Sequence, residues 1–327
     1  MVCTKTIGRK YSLLVGKEAT AWTIASAFTA IPLTIAPFLN PIVEKIRNDS
    51  WIGTIEDANN SYVTKTMTET SVEWIVHELT FGHLLTAAFW ASAAPATIET
   101  WVYKHSFSVQ NDNCHQSYSL IEDWLIWEEL ALYNLINTLG INLAVWEIAR
   151  FTWDFMWQIY TWTTGHTPAF TAENPFKISN MVIKLADDIA SLWAAPAINV
   201  RSLNFEIAKN VVDIFESWNV TPSSFANQQF GITWDVELTY ENDTLRDRNT
   251  GWTKQAMSIL IQGDSLIGAT EKAELYFEFS QLSFDEWDRS NTNDEILTET
   301  LWFSAEYKIA DTAMVTGYLQ NTQSTQY

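Results

Sequence analysis

A chain of 327 residues in which 47% of side chains are hydrophobic has enough apolar mass for one large or two ordinary domains, which excludes intrinsic disorder. Its 39 acidic and 19 basic residues leave a formal charge of -20, which excludes a surface that grips nucleic acid, since phosphate binding needs concentrated Lys and Arg, and permits one that repels it. Two cysteines, Cys3 and Cys114, supply no disulfide framework and fit synthesis in a reducing compartment.

Residues 1–60 read as an extended arm followed by a loop. Lys5, Arg9 and Lys10 are followed by a Thr-rich segment without the compact apolar core of a signal peptide. Residues 19–43 and 79–98 are long enough to cross a bilayer and carry no charge apart from His83. In the first of them Pro32, Pro37 and Pro41 and the scattered Thr residues favour an arm over a helix. Residues 64–79 predict a strand with Val72, Trp74 and Val76 on one side. Residues 81–90, rich in Leu and Ala, predict a short helix that Pro95 would end. Strands are expected over 101–109, 117–121, 136–145 and 149–159. Residues 161–174, with Gly165 and Pro168 and followed by Pro175, form the clearest linker, so the expected division is 1–60, 61–165 and 166–327.

The second half predicts strands over 176–185 and 200–215. Then Ile232, Trp234, Val236, Leu238 and Tyr240 alternate with Thr233, Asp235, Glu237 and Thr239, the two-residue period of a half-buried strand. Residues 241–249 are polar and predict a loop with a helical turn, carrying Asp243, Arg246, Asp247 and Arg248. Alternation returns at Ala273, Leu275, Phe277 and Phe279 and at Leu301, Phe303, Ala305 and Tyr307, and a last strand is expected over 314–320. So apolar a face cannot stay open to water, and the strands must close a sandwich or barrel or complete one with copies of the chain. One internal echo aligns residues 136–144 with 200–208 and fits two related units in tandem.

The order of these segments resembles the tail tube proteins, or major tail proteins, of long-tailed bacteriophages. The likeness runs from an arm with Ile31-Pro32, through the strand and helix of residues 72–88 and the strand at 200–207, to Gly231–Tyr240, Asp243–Asp247, 272–282 and the final strand at 315–321. It implies a mainly β fold, a tail-tube-type β-barrel or sandwich with a short packed helix and an extended N-terminal arm. It also implies a noncatalytic virion subunit, made in the host cytoplasm, that assembles with copies of itself into stacked trimeric pseudo-sixfold or hexameric rings. Its partners would be a tape measure protein, a tail terminator and distal tail proteins, with DNA passing through unbound during ejection, no cofactor and no membrane. In that setting the acidic strand faces at Asp235, Glu237, Glu274 and Glu278 are candidates to line the lumen and keep DNA phosphates from adhering. The arm at 1–60 and the loop residues Asp243, Arg246, Asp247 and Arg248 are candidates to reach a neighbouring subunit.

One departure from a β-rich composition stands out. Seventeen Trp against eleven Gly is an inverted ratio, and Trp51, Trp124, Trp218 and Trp252 sit where a turn or bulge would want glycine. Either these are aromatics at subunit interfaces, where Trp is enriched, or the source reads a stop codon as glycine.

Other chemistry weighs less. The histidines His77, His83, His105, His115 and His166 lack the repeated spacing of a zinc site, and no Gly-x-Ser-x-Gly elbow is present. Carboxylate pairs such as Asp187-Asp188, Glu128-Glu129 and Asp285-Glu286 with Asp288 are expected in so acidic a chain and read as solvated surface. Two readings from other classes remain: a carbohydrate-binding or glycosidase-like β-sandwich, and a membrane-anchored viral envelope protein.

Overall fold

The computed structural model describes residues 10–33, 39, 41–50, 60–110, 116–124, 126–144, 147–157, 160–290 and 296–327. In chain order its elements begin with β1 (Ser12–Lys17), β2 (Thr29–Ile31), β3 (Pro41–Asn48), β4 (Asn60–Ile75) and helix α1 (Phe81–Phe89). Then come β5 (Trp90–Ser92), β6 (Ala96–Glu99), β7 (Val102–Val109), β8 (Tyr118–Asp123), β9 (Glu128–Ala144), β10 (Arg150–Trp157) and β11 (Thr161–Thr163). The second half adds β12 (Met181–Ala186), β13 (Ala197–Ile198), β14 (Val200–Ala208), β15 (Val211–Ile214), β16 (Ser224–Asn227), β17 (Gly231–Thr239) and helix α2 (Thr244–Thr250). It ends with β18 (Gln255–Leu266), β19 (Lys272–Arg289), β20 (Thr298–Ala305) and β21 (Val315–Asn321). The fold is mainly β, as expected. Among the described residues nineteen strands join one sheet, and β15 with β16 forms a separate hairpin.

The predicted alternation builds a closed ring of strands. β14 pairs with β17, β17 with β20, β20 with β19, β19 with β18, and β18 with β12. β12 pairs in turn with β13, which runs through Asn199 into β14. Trp234, Val236, Leu275, Phe277, Phe279, Leu301 and Phe303 of the alternating sets are buried inside it, whereas Tyr240 and Ala305 are half-buried and Tyr307, beyond the end of β20, is exposed. β14 also pairs with β9, so the sheet continues outward through β10 to β4, while the first residues of β9, Glu128 to Asn134, pair with β8, which leads on to β1 and β2. A further branch leaves β19 through β21 to β7. One contiguous apolar cluster runs from Leu13 to Tyr327, so side chains from both sides of residue 165 share a core.

The echoed segments are neighbours. Ile141, which aligns with Phe205, is paired with Phe205 itself, and the pairs Leu139↔Ile207 and Leu143↔Leu203 exchange under the same alignment. A local two-fold axis normal to the sheet therefore passes between Ile141 and Phe205. It carries β10 onto β17 and β4 onto β20.

Helix α1 is held by residues from the other half of the chain. The main-chain N–H groups of Leu79 and Thr80 donate to the Glu173 carboxylate at 3.0 and 2.9 Å, placing a negative charge at the helix N-terminus, where the dipole favours it. At the opposite end the buried Lys209 Nζ donates to the Ala87 carbonyl at 2.8 Å. Gly82 is required because the Tyr327 ring lies where a side chain would start, 2.3 Å from an ideal Cβ.

Several elements differ from the sequence-based expectation. Ser12–Lys17 lies within the expected arm but is a buried strand of the sheet, with Leu13, Leu14 and Val15 each at most 2% exposed. The run 200–215 breaks at Asn210, whose φ of +49° turns the chain from β14 into β15. β3 and β18 were not foreseen, and the linker opens with the three residues of β11 before becoming coil.

Candidate assembly surface

The part of the first sixty residues that stands off the body is the ribbon of β3 and the start of β4, paired from Pro41↔Thr68 to Asn48↔Asn60. Its β-branched and aromatic residues favour strand, yet they fall on both faces: Ile42, Val43, Ile46, Tyr62 and Val63 are 41–61% exposed. The ribbon's base is fixed. Thr66 N donates to Val220 O at 2.7 Å, Lys65 Nζ meets Asp213 at 2.6 Å, and Met67 packs with Val211 and Phe225 of the β15–β16 hairpin. That hairpin adds exposed Val212, Ile214, Phe215 and Val220 beside the ribbon. Apolar surface of this extent, anchored at its base and covered by no other described segment along the ribbon, is the mark of an interaction site. Residues 1–9, 34–38, 40 and 51–59, also expected in the arm, lie outside the described residues.

The four acidic candidates all lie on outward faces, alternating with buried neighbours along β17 and β19. They form two groups. Asp235 accepts from Asn204 Nδ2 at 3.1 Å, and Glu237 faces Arg201 Nε at 3.7 Å; both border β14 and β20. Asp235 sits in an open groove of about 540 Å³ that crosses the local two-fold axis, with Glu206 and Asp285 on its walls. Glu274 and Glu278 sit over the β18–β19–β21 part of the sheet. There Glu274 accepts from Gln262 Nε2 at 2.8 Å and the Tyr318 hydroxyl at 2.9 Å, and Glu278 accepts from the Tyr276 hydroxyl at 2.8 Å.

The polar loop contains the two-turn helix α2. Asp243 accepts from the Tyr240 hydroxyl at 2.7 Å and pairs with Arg246 at 3.0 Å; Arg246 also reaches Asp247 at 3.0 Å. Arg248 donates to Gln255 Oε1 at 2.6 Å. The four charged residues thus have partners within the chain, which stiffens the loop on β19, where Asn249 Nδ2 donates to Phe284 O.

Two buried carboxylates fasten the N-terminal segment, and composition alone did not reveal either. Glu18 accepts from the Ser117 and Ser119 hydroxyls at 2.7 and 2.9 Å and from the main-chain N–H groups of Trp22 and Tyr133. Glu122 accepts from the Tyr11 hydroxyl and Leu39 N, both at 3.0 Å, and from Trp124 Nε1 at 3.2 Å. Burial outweighs these donors and pushes the Glu122 carboxyl up to about 7.

The described histidines are bound within the fold. His77 Nδ1 accepts from Trp74 Nε1, His83 contacts the Thr29 hydroxyl, His105 contacts Gln323 O, and His166 meets Glu128 at 2.7 Å. Burial lowers His83 to about 4, so it is neutral at physiological pH. His115, Cys3 and Cys114 lie outside the described residues, among which no group of His, Cys, Asp and Glu is arranged to hold a metal ion. Asp187 accepts from Gln255 Nε2, and Asp188 accepts from Ser191 N.

No helix among the described residues is long and apolar enough to cross a membrane. The nine residues of α1 span about 13.5 Å, under half of a bilayer core. The stretch 19–43 contains β2 and the start of β3. Compared with known families, the chain matches the model for the phage tail tube protein over residues 8–296. No curated protein matches it.

Proposed function

The chain belongs to the phage tail tube protein family and is a structural subunit of the virion tail, and from this we propose that it assembles with copies of itself into stacked rings that form the conduit for DNA ejection. The β3–β4 ribbon carries this reading, because it exposes apolar side chains on both faces at a site no segment of its own chain covers among the described residues. The neighbouring subunit or ring is the occupant it fits. Extended elements of this kind bury large areas against a partner for few residues.

In this arrangement the outward acidic faces at Asp235, Glu237, Glu274 and Glu278 line the channel, where negative potential keeps phosphates from adhering. The net charge of -20 and the outward orientation of all four support it. Assembly on a tape measure protein, with terminator and distal tail proteins at the ends, belongs to the same proposal, as does synthesis in the host cytoplasm. The two-unit division at 61–165 and 166–327 finds support in the local two-fold, but that axis reverses strand direction, whereas a pseudo-sixfold ring needs units that run the same way. The echo therefore favours neither trimer nor hexamer.

Negative-stain microscopy of the purified protein tests the reading. The unmodified chain should form annular particles or tubes, while Ile46→Lys combined with Val63→Lys should leave the circular dichroism spectrum unchanged and abolish them. Tubes of normal length from the double variant would remove the ribbon from the interface, and a protein that stays monomeric under every assembly condition would overturn self-assembly itself.

A further inference from the structure

Among the described residues glycine holds a single positive-φ position, Gly165, whereas tryptophan holds four: Trp22 (+69°), Trp101 (+70°), Trp218 (+82°) and Trp252 (+53°). The left-handed region crowds any Cβ against the following carbonyl, and glycine alone enters it freely.

Each of the four sits in a local structure that selects glycine at that place. Asn219 N donates to Glu216 O, closing a four-residue turn with Trp218 third, the position at which type II turns need φ near +80° and therefore glycine. Thr23 N donates to Thr20 O, which puts Trp22 third in a similar turn. Trp101 is the second residue of the two-residue connection between β6 and β7, where Glu99 pairs with Val102. After α2, Trp252 N donates to Asn249 O and Thr253 N to Arg248 O, the paired bonds of a Schellman helix end with Trp252 at its left-handed position.

The indoles give little in return. Trp218, Trp252 and Trp101 are 101%, 86% and 72% exposed; only Trp22 has a ring partner, stacking on Tyr133 at 4.4 Å. Trp74, Trp153 and Trp234 differ in every respect. They lie in extended strand, they are buried, and they pack on aromatic neighbours, Trp234 against Phe279 at 4.5 Å and Trp74 against Trp153 at 6.1 Å. These two sets of tryptophans, one filling the core and one placed where stereochemistry selects glycine, stand apart from exposed indoles such as Trp162 and Trp193, whose backbone is not left-handed.

We propose that the natural polypeptide carries glycine at positions 22, 101, 218 and 252, because the host reads the UGA codon there with a glycine-charged transfer RNA. UGA is the codon that fits, being stop in the standard code and tryptophan in a common variant. Of the positions marked by sequence alone, 218 and 252 belong to this set. Trp124 does not, since its φ is not positive and its indole N–H donates to Glu122, and Trp51 lies outside the described residues.

The gene and the native protein decide it. The four codons should be UGA while those for Trp74, Trp153 and Trp234 are UGG, and peptides from native virions spanning residues 218 and 252 should be lighter by the difference between a tryptophan and a glycine side chain. UGG at the four positions, or native peptides that retain the tryptophan mass, would overturn the proposal.

Discussion

Ile141 and Phe205 face each other across the β9–β14 pair, each on the strand whose sequence echoes the other. They are the middle of one buried row that crosses six strands, Trp74–Phe151–Ile141–Phe205–Trp234–Phe303. Every member is at most 4% exposed. The row joins the strands before residue 165 to those after it, so a continuous buried register bridges the expected boundary.

Phe205→Ala should therefore destabilise the whole chain. Deleting a buried phenyl ring costs about 3–5 kcal/mol, against about 0.5–1.5 kcal/mol for Ile141→Val. Urea unfolding followed by fluorescence should give one cooperative transition with a lowered midpoint. If only the transition of the second half shifts, with a separate one for the first, the shared core is not one cooperative unit.

Glu122 links stability to pH. Its carboxyl is raised from 4.5 to about 7 in the folded chain, so between these values the folded state holds a proton that the unfolded state has released. The stabilisation is complete below about 4.5 and is lost as pH rises through about 7, a change on the order of 3 kcal/mol. Glu122→Gln should flatten this slope, with denaturation midpoints at pH 5 and pH 8 moving together. An unchanged slope would assign the pH dependence elsewhere.

The barrel was legible because Trp234, Leu275 and Phe277 alternate with Thr, Asp, Glu and Tyr, and Leu301 and Phe303 recur at the same spacing, and a period of two has one structural meaning. The ribbon was not, because Ile42-Val43 and Tyr62-Val63 place apolar residues on both faces, which erases the period a half-buried strand would show. β18 was hidden for the opposite reason. Its stretch Ala256-Met-Ser-Ile-Leu-Ile261 is nearly continuous in apolar residues and has no alternation to read. Glu173 and Lys209 at the ends of α1 come from more than eighty residues downstream, a pairing that only the folded chain makes.

Charge reversal tests the channel reading. Asp235 and Glu237 are outward and only partly covered, so Asp235→Lys with Glu237→Lys should leave the chain folded, at a cost of about 1–2 kcal/mol for the lost Asn204 and Arg201 partners. If these faces line the conduit, reversed charges hold DNA phosphates, and ejection from otherwise normal tails slows or stops, more so at low salt, where screening is weakest. Ejection at the unmodified rate at every ionic strength would place both residues away from the lumen.

The two sets of tryptophans predict opposite responses to one substitution. At position 252 the left-handed backbone of the helix end burdens any side chain, and the indole there is 86% exposed. Trp252→Gly removes about 1–2 kcal/mol of steric strain and gives back a fraction of it as chain entropy in the unfolded state, a net gain of about 1 kcal/mol. Trp218→Gly should do the same, because the ring it removes is fully exposed. Trp234→Gly takes the same atoms from a site packed by Phe279 and Phe303 and should lose about 3–5 kcal/mol to the cavity. Thermal midpoints of the three variants in parallel should rise, rise and fall; a fall at 218 and 252 would mean that the exposed rings contribute contacts worth more than the strain they impose.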